Sequence, residues 1–414
     1  MNRKVLGMAV LAGALVWACG EPAAGLDAAL APSFDRGGVP RQHTIVVNPN
    51  ANGAAIAATI KEAIEMVEPG GLVQVKPGTY AEALVIDKGL TLEGIGDGSG
   101  PVIIAPPGAP TTAVEVATPS PVTIRDLTVI KPGVNGVFGN GVVDVTIEHV
   151  TIVAVGVGPG NNRLVRIANN AAQTGGRARL VVRESFLDGG DLGPYGISLQ
   201  ADMDATLEDN VIRRTGVCMF ILAFSSSGIN ADIVNNDLDE CHPPGRAAAI
   251  DIGPVATQTA NIGFTGVVNV IGNRIRNSRG SCLPTTAIRY ELYTGRVERN
   301  SIVGFLQDCA VPISNALPAA IWVGSIRAFP PSAPVVRFND IEGNAHAGLR
   351  VAPNITTSLD ASCNWWGSAS GPTSVGAPPG TGTAALVVEP GAATPTYTPF
   401  ATAPIAGTRA TSCP

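Results

Sequence analysis

Six short apolar phrases carry the residues most able to do chemistry: LVRI (164–167), GISL (196–199), AIDI (249–252), AIRY (287–290), AIWV (320–323) and GLRV (348–351). In a strand, alternate residues point to opposite faces, so the apolar members of each phrase point inward and the residue between them points out. The outward set is Arg166, Ser198, Asp251, Arg289, Trp322 and Arg350, with Glu291 on the same side two residues beyond Arg289. Arginine forks pair with uronate or sulfate groups, and an indole face stacks on a sugar ring. Arg166, Asp251, Arg289, Trp322 and Arg350 are therefore the candidate ligand contacts. Asp251, Arg289 and Glu291 are the candidate catalytic groups, since positioned carboxylates can transfer protons. The competing explanation is that these are ordinary surface residues and that Asp251 simply pairs with Arg289. CMFILAF (218–224), between Ser198 and Asp251, is too uniformly apolar to register.

What must position these residues is a repeat. A second phrase reads apolar, two variable residues, usually Asn, one variable residue, apolar. Its copies are LEDNVI (207–212), IVNNDL (233–238), VIGNRI (270–275), VERNSI (297–302) and VRFNDI (336–341), preceded by IRDLTV (124–129), IEHVTI (147–152) and VRESFL (182–187). Their fourth positions fall 23 to 39 residues apart. A repeat of this length means a solenoid whose units bury their apolar faces only by stacking. Short alternating strands between Gly and Asn turns make it an all-β parallel β-helix, of about ten rungs. Inward residues include Ile212, Ile275 and Ile302. The Asn column (Asn210, Asn236, Asn273, Asn300, Asn339) suits left-handed turns and an amide ladder along the axis. Two charge columns alternate in sign, Arg125, Glu148, Arg183, Glu208 and Asp188, Arg213, Asp239, Arg276, and are expected to support the stack while remaining solvated.

At the start, MNRK and a 14-residue apolar run, VLGMAVLAGALVWA, read as a signal peptide over residues 1–18, too short to span a bilayer. Cys19 follows a small residue, as at a lipoprotein cleavage box, and is the expected lipid-bearing residue; cleavage for ordinary secretion is the other reading. Residues 19–43 form the lipidated cysteine and a flexible tether, 44–400 the β-helix with its cap, and 401–414 a tail. AAIAATIKEAIEMVEPGG (54–71) predicts a helix over 54–67 capped by Asn52 and ended by Pro69-Gly70-Gly71, covering the open end of the stack.

Losing residues 1–18 removes Arg3 and Lys4 from the 27 basic residues, leaving 25 against 33 acids, a net charge of −8. No basic block points to nucleic acid. The expected partners are a polysaccharide or surface glycan and, through the lipid, a membrane; the chain is expected to be a monomer. After Cys19, six cysteines remain, and about one rung separates Cys218 from Cys241 and Cys282 from Cys309, which predicts those disulfides and leaves Cys363 with Cys413. With no CxxC and only His43, His149, His242 and His346, no metal site or cofactor is expected.

TIKEAIEMVEPGG followed by VQVKPGTYAEALVIDKGLTLEG resembles the opening of the pectin lyase-like right-handed β-helix superfamily, as seen in pectin methylesterases and NosD-like repeat proteins. SLDASCNWWGSASGP (358–372) with YTPF (397–400) is similar to the ending of many secreted bacterial β-helix proteins. The resemblance covers about residues 44–400 and is specific for fold. It implies that a strand face flanked by long loops holds polysaccharide, and insertions here lie within 150–185, 236–273 and 300–339. GTYAE (78–82) matches the methylesterase pattern, but the later QDT, DFIFG and GRPW-type motifs are missing and LQDC (306–309) is a poor echo. Ca-dependent lyases need a carboxylate cluster, whereas only Asp251 with Glu291 lies on the expected face, and calcium enters only under the lyase alternative. Two functions follow: an exported, outer-membrane or surface-anchored protein (or a secreted or periplasmic one) that binds glycan or acts as a structural adhesin, and a divergent lyase or esterase acting on acidic polysaccharide.

Overall fold

The computed structural model describes residues 42–48, 56–96, 98–108, 112–155, 162–169, 174–190, 192–223, 228–241, 248–254, 266–278, 286–305, 319–324, 333–344, 347–373, 380–405 and 413. They belong to one compact unit, Pro40–Pro414. Their strands form three sheets of 12, 9 and 11 strands, and every neighbouring pair is parallel. A rung visits the sheets in a fixed order, as in Asp144–Glu148 of the first, Thr151–Ala154 of the second and Arg163–Ala168 of the third. This is the right-handed parallel β-helix that the repeat implies.

Register, rather than propensity alone, builds the core. On the third sheet Val165, Ile197, Met219, Ile250, Ile288, Ile321, Leu349 and Leu386 stand in one line of paired residues. All are buried, as are Ile212, Ile275 and Ile302. Burial of each Ile or Leu against its neighbours above and below contributes about 1.5–3 kcal/mol, so the core is continuous along the axis.

Between the first and second sheets the chain turns in two residues, and the repeating phrase explains how. The third position of the phrase takes the left-handed conformation: Asp126, His149, Glu184, Asp209, Asn235, Gly272, Arg299, Phe338 and Cys363 have φ between 49° and 69°. The expectation that Asn itself supplies this conformation is corrected, because the Asn is the following residue and serves the ladder. The backbone N–H groups of Ser185, Asn210, Asn236, Asn273, Asn300 and Asn339 each donate to the amide oxygen one rung on, at 2.9–3.1 Å, and the column ends at Asn364. Each Asn amide N–H also reaches a backbone carbonyl below it, as Asn273 Nδ2 does Ile233 O at 2.8 Å. These groups are buried, so each bond removes a desolvated donor or acceptor that would otherwise be costly.

The end of the stack differs from expectation. The helix spans only Ile60–Met66, and Ile56–Ala57 is a strand. Thr59 caps it, accepting from Glu62 N at 3.1 Å, while Glu62 accepts from Ala58 N at 2.9 Å. Glu82, from GTYAE, takes the N–H groups of Ile60 and Lys61 at 3.0 and 2.9 Å. With those donors satisfied, Thr59 starts the helix; Asn52 lies outside the described residues. Pro69-Gly70-Gly71 belongs to the next strand, Val67–Val75. Ile60, Ala63 and Ile64 bury against the core, so the short helix still covers apolar surface.

The first charge column pairs along the stack: Glu93 with Arg125 at 2.9 Å, Arg125 with Glu148 at 3.7 Å, and Glu148 with Arg183 through Nε at 2.9 Å. In the second, Arg276 meets Asp239 at 3.1 Å, but Asp188 pairs with Arg214 rather than Arg213. Arg214, in a left-handed turn (φ 52°), donates to Asp188 through Nε at 2.9 Å, and Arg213 remains exposed. Three of the four carboxylates are not solvated, since Glu148, Asp188 and Asp239 are buried, while Glu208 is half-buried. Cys218–Cys241 and Cys363–Cys413 are disulfides with Cα separations of 5.5 and 5.0 Å. Cys282 and Cys309 lie outside the described residues. Cys413 carries the tail back to the stack, where Ala401 and Ile405 bury beside Phe338 and Trp365.

Candidate functional face on the third sheet

The outer column of the third sheet runs in register through Glu115, Phe138, Arg166, Ser198, Phe220, Asp251, Arg289, Trp322, Arg350 and Val387. All six outward residues read from the sequence fall in it. Connections of variable length leave and enter this sheet, whereas the ladder turn on the other side of each rung stays tight.

Asp251, Arg289 and Glu291 converge. Arg289 reaches Glu291 Oε1 through Nε at 2.5 Å and Asp251 Oδ1 through Nη1 at 3.3 Å. Asp251 is 4% exposed and Glu291 is fully buried. Burial, opposed by Arg289 and reinforced by Glu291, pushes the Asp251 carboxyl up to about 6. Burial also works against the Arg289 charge, but Asp251 and Glu291 outweigh it and hold the guanidinium above its usual value. Glu291 Oε2 is buried and makes no hydrogen bond with the described residues. A carboxyl near 6 can give or take a proton at neutral pH. Calcium takes about six to eight oxygen ligands, and here the two carboxylates instead share a guanidinium standing where a cation would. The residues do not fit that ion.

Trp322 corrects the expectation of an open indole face. It points out of the coil, yet it is 8% exposed and packs with Ala319, Ala347, Ala352 and Val387. The Arg289 guanidinium lies over its ring at 5.9 Å. Arg350 meets Glu389 at 3.3 Å. Charge and ring surface in this half of the column are thus already engaged within the protein.

The other half differs. Arg166 donates to Gln200 Oε1 from Nε and Nη2 at 3.3 and 3.0 Å, and lies over Phe138 at 5.3 Å. Arg163, on the same strand, lies over Tyr195 at 5.3 Å, and Tyr195 meets Phe220 edge-on at 4.9 Å. Phe138, Tyr195 and Phe220 are half-buried. Sequence reasoning missed all three. In NGVFGN (135–140) a glycine takes the second inward position, and in CMFILAF no polar residue marks the outward side. Pairing of Phe138 with Arg166 and of Phe220 with Asp251 reveals them.

No family model matches the chain, and no curated protein matches it. Among solved structures it is similar to the pectin methylesterase of Aspergillus niger (12% identity, 70% of this chain and 85% of that one, TM-score 0.34). It is also similar to GH136 lacto-N-biosidase from Eubacterium ramulus (11%, 86% and 66%, TM-score 0.42). A third is the catalytic unit of the thermostable GH87 α-1,3-glucanase from Streptomyces thermodiastaticus strain HF3-3 (12%, 86% and 69%, TM-score 0.29). The fold itself rests on the strand register described above.

Proposed function

We propose that the protein binds a polysaccharide along the outer face of its third sheet, outside the cytoplasm. The observation that carries this reading is the in-register column of Phe138, Arg166, Ser198 and Phe220, on neighbouring strands about 4.8 Å apart. The half-buried rings of Phe138 and Phe220, with the half-buried Arg166 guanidinium between them, suit a linear polymer whose units each offer an apolar face and a rim of hydroxyls. The disulfides support folding in an oxidising compartment. Lipid attachment at Cys19, outside the described residues, would hold the molecule at a membrane; an adhesin role fits the same surface. Affinity electrophoresis against neutral and acidic polysaccharides tests the reading with the wild type and Phe220→Ala. Retention of the wild type, weakened in the variant, is expected; no retention by any polymer contradicts it.

A second reading, cleavage or de-esterification of an acidic polysaccharide, is favoured by the pair Asp251 and Glu291 around Arg289. Asp251 would transfer the proton and Arg289 would steady the developing negative charge. Product analysis after incubation with pectin or polygalacturonate tests it: wild-type turnover lost in Asp251→Asn supports catalysis, and no turnover by the wild type refutes it.

A further inference from the structure

Most arginines on the described strands reach a carboxylate: Arg125, Arg183, Arg276, Arg289 and Arg350 each do so. Arg166 does not. Its partners are the Gln200 amide and the Phe138 ring. Gln200 Nε2 in turn donates to Ser198 Oγ at 3.3 Å, and both residues are buried. The guanidinium is therefore aimed by a fixed chain of side chains while itself only half-buried. Gln200 occupies the Nε–Nη2 edge. The Nη1–Nη2 edge makes no hydrogen bond with the described residues, and its two parallel N–H groups match a carboxylate.

The surroundings sharpen this. Arg163 stands three residues earlier on the same strand. Burial, and then the charge of Arg166, pull Arg163 down to about 10, and burial lowers Arg166. Tyr195 and Phe220 continue the surface beside it, packed edge-to-face.

We propose that Arg166, aimed by Gln200 and backed by Phe138, holds the carboxylate of an acidic sugar unit, with Tyr195 and Phe220 against a neighbouring unit of the same chain. This rests on the polysaccharide reading and sets its centre at the strands Arg163–Ala168, Tyr195–Gln200 and Val217–Ala223. Selectivity then comes from one fork rather than from the overall charge, which is negative and opposes polyanions.

Calorimetric titration with polygalacturonate, its methyl ester and a sulfated galactan tests the inference, using the wild type, Arg166→Ala, Arg166→Lys and Gln200→Glu. Gln200→Glu keeps the shape and still accepts from Arg166, with the Ser198 hydroxyl turned to donate, but it supplies the countercharge internally, so it remains informative if Arg166→Ala folds poorly. The wild type should prefer polygalacturonate to its ester. Arg166→Ala and Gln200→Glu should each lose about tenfold or more in affinity for the acid, with Arg166→Lys between. Affinity for the ester should not change. Wild-type affinity for polygalacturonate in folded Arg166→Ala or Gln200→Glu overturns the inference and leaves the polysaccharide reading standing. Tighter, Arg166-dependent binding of the sulfated galactan overturns the choice of carboxylate. A wild type that binds no polysaccharide overturns the broader reading and this one with it.

Discussion

Replacing Asn273 by Ala removes the middle of the ladder, and the structure sets the size of the loss. Asn273 Oδ1 accepts from Asn236 N and Asn236 Nδ2, both at 2.9 Å. Its Nδ2 donates to Ile233 O at 2.8 Å and to Asn300 Oδ1 at 3.0 Å. Asn300 Oδ1 keeps the backbone N–H of residue 273 at 2.9 Å, and Asn236 Nδ2 keeps Leu207 O. The Asn236 N–H is left buried without an acceptor, which costs about 1–3 kcal/mol, and the weakened remaining bonds add about 1 kcal/mol. The expected loss is about 2–4 kcal/mol. Urea unfolding followed by circular dichroism measures it, with Asn269→Ala as the control. Asn269 bonds Asp232 on the exposed side of the first sheet, where water can replace it, and its loss should stay within about 0.5 kcal/mol. An Asn273→Ala variant no less stable than that control would refute the idea that the ladder satisfies buried groups.

Asp251 makes stability depend on pH. Its folded value, about 6, lies above the ordinary 3.8, so its contribution is fully present below about pH 4 and is lost as pH rises through 6. Relative to wild type, Asp251→Asn should gain about 3 kcal/mol between pH 4 and 7, and parallel stability curves would contradict this. Breaking Cys218–Cys241, which closes a 23-residue separation, should cost about 3 kcal/mol in denaturant titration. Non-reducing peptide mapping should link Cys282 to Cys309; a peptide joining Cys241 to Cys282 would contradict the pairing. Cys19→Ala should release the protein from membranes on fractionation, and unchanged membrane association would rule out lipid at that residue.

The rung phrase made the fold legible because stacking needs the same residue types at the same place in every rung. It also contained more than it yielded at first reading. ASCNWW (361–366) obeys the phrase, with Ala361 and Trp366 buried and Asn364 closing the ladder, but reads first as an ending motif. The left-handed position was hidden because Asp, His, Glu, Asn, Gly, Arg, Phe and Cys all occupy it; the tight turn and ladder hold the backbone there whatever the side chain. The helix was overextended because apolar spacing over 54–67 does not reveal that Glu82 waits 22 residues on to take its first N–H groups. On the third sheet, alternation found the outward column but not its solvent access. Outward from a coil is not the same as exposed, as Trp322 and Asp251 show, and Phe138 and Phe220 sit in phrases that lack a polar marker on the outward side.

The central claim is that the outer face of the third sheet is where this protein meets its ligand. Hydrogen–deuterium exchange with and without saturating polygalacturonate tests it most directly, because it reads all three sheets at once without a substitution. The account predicts added protection in peptides spanning 163–168, 195–200 and 217–223, with the first-sheet strands at 178–183 and 203–208 unchanged. Protection confined to the first or second sheet would contradict it.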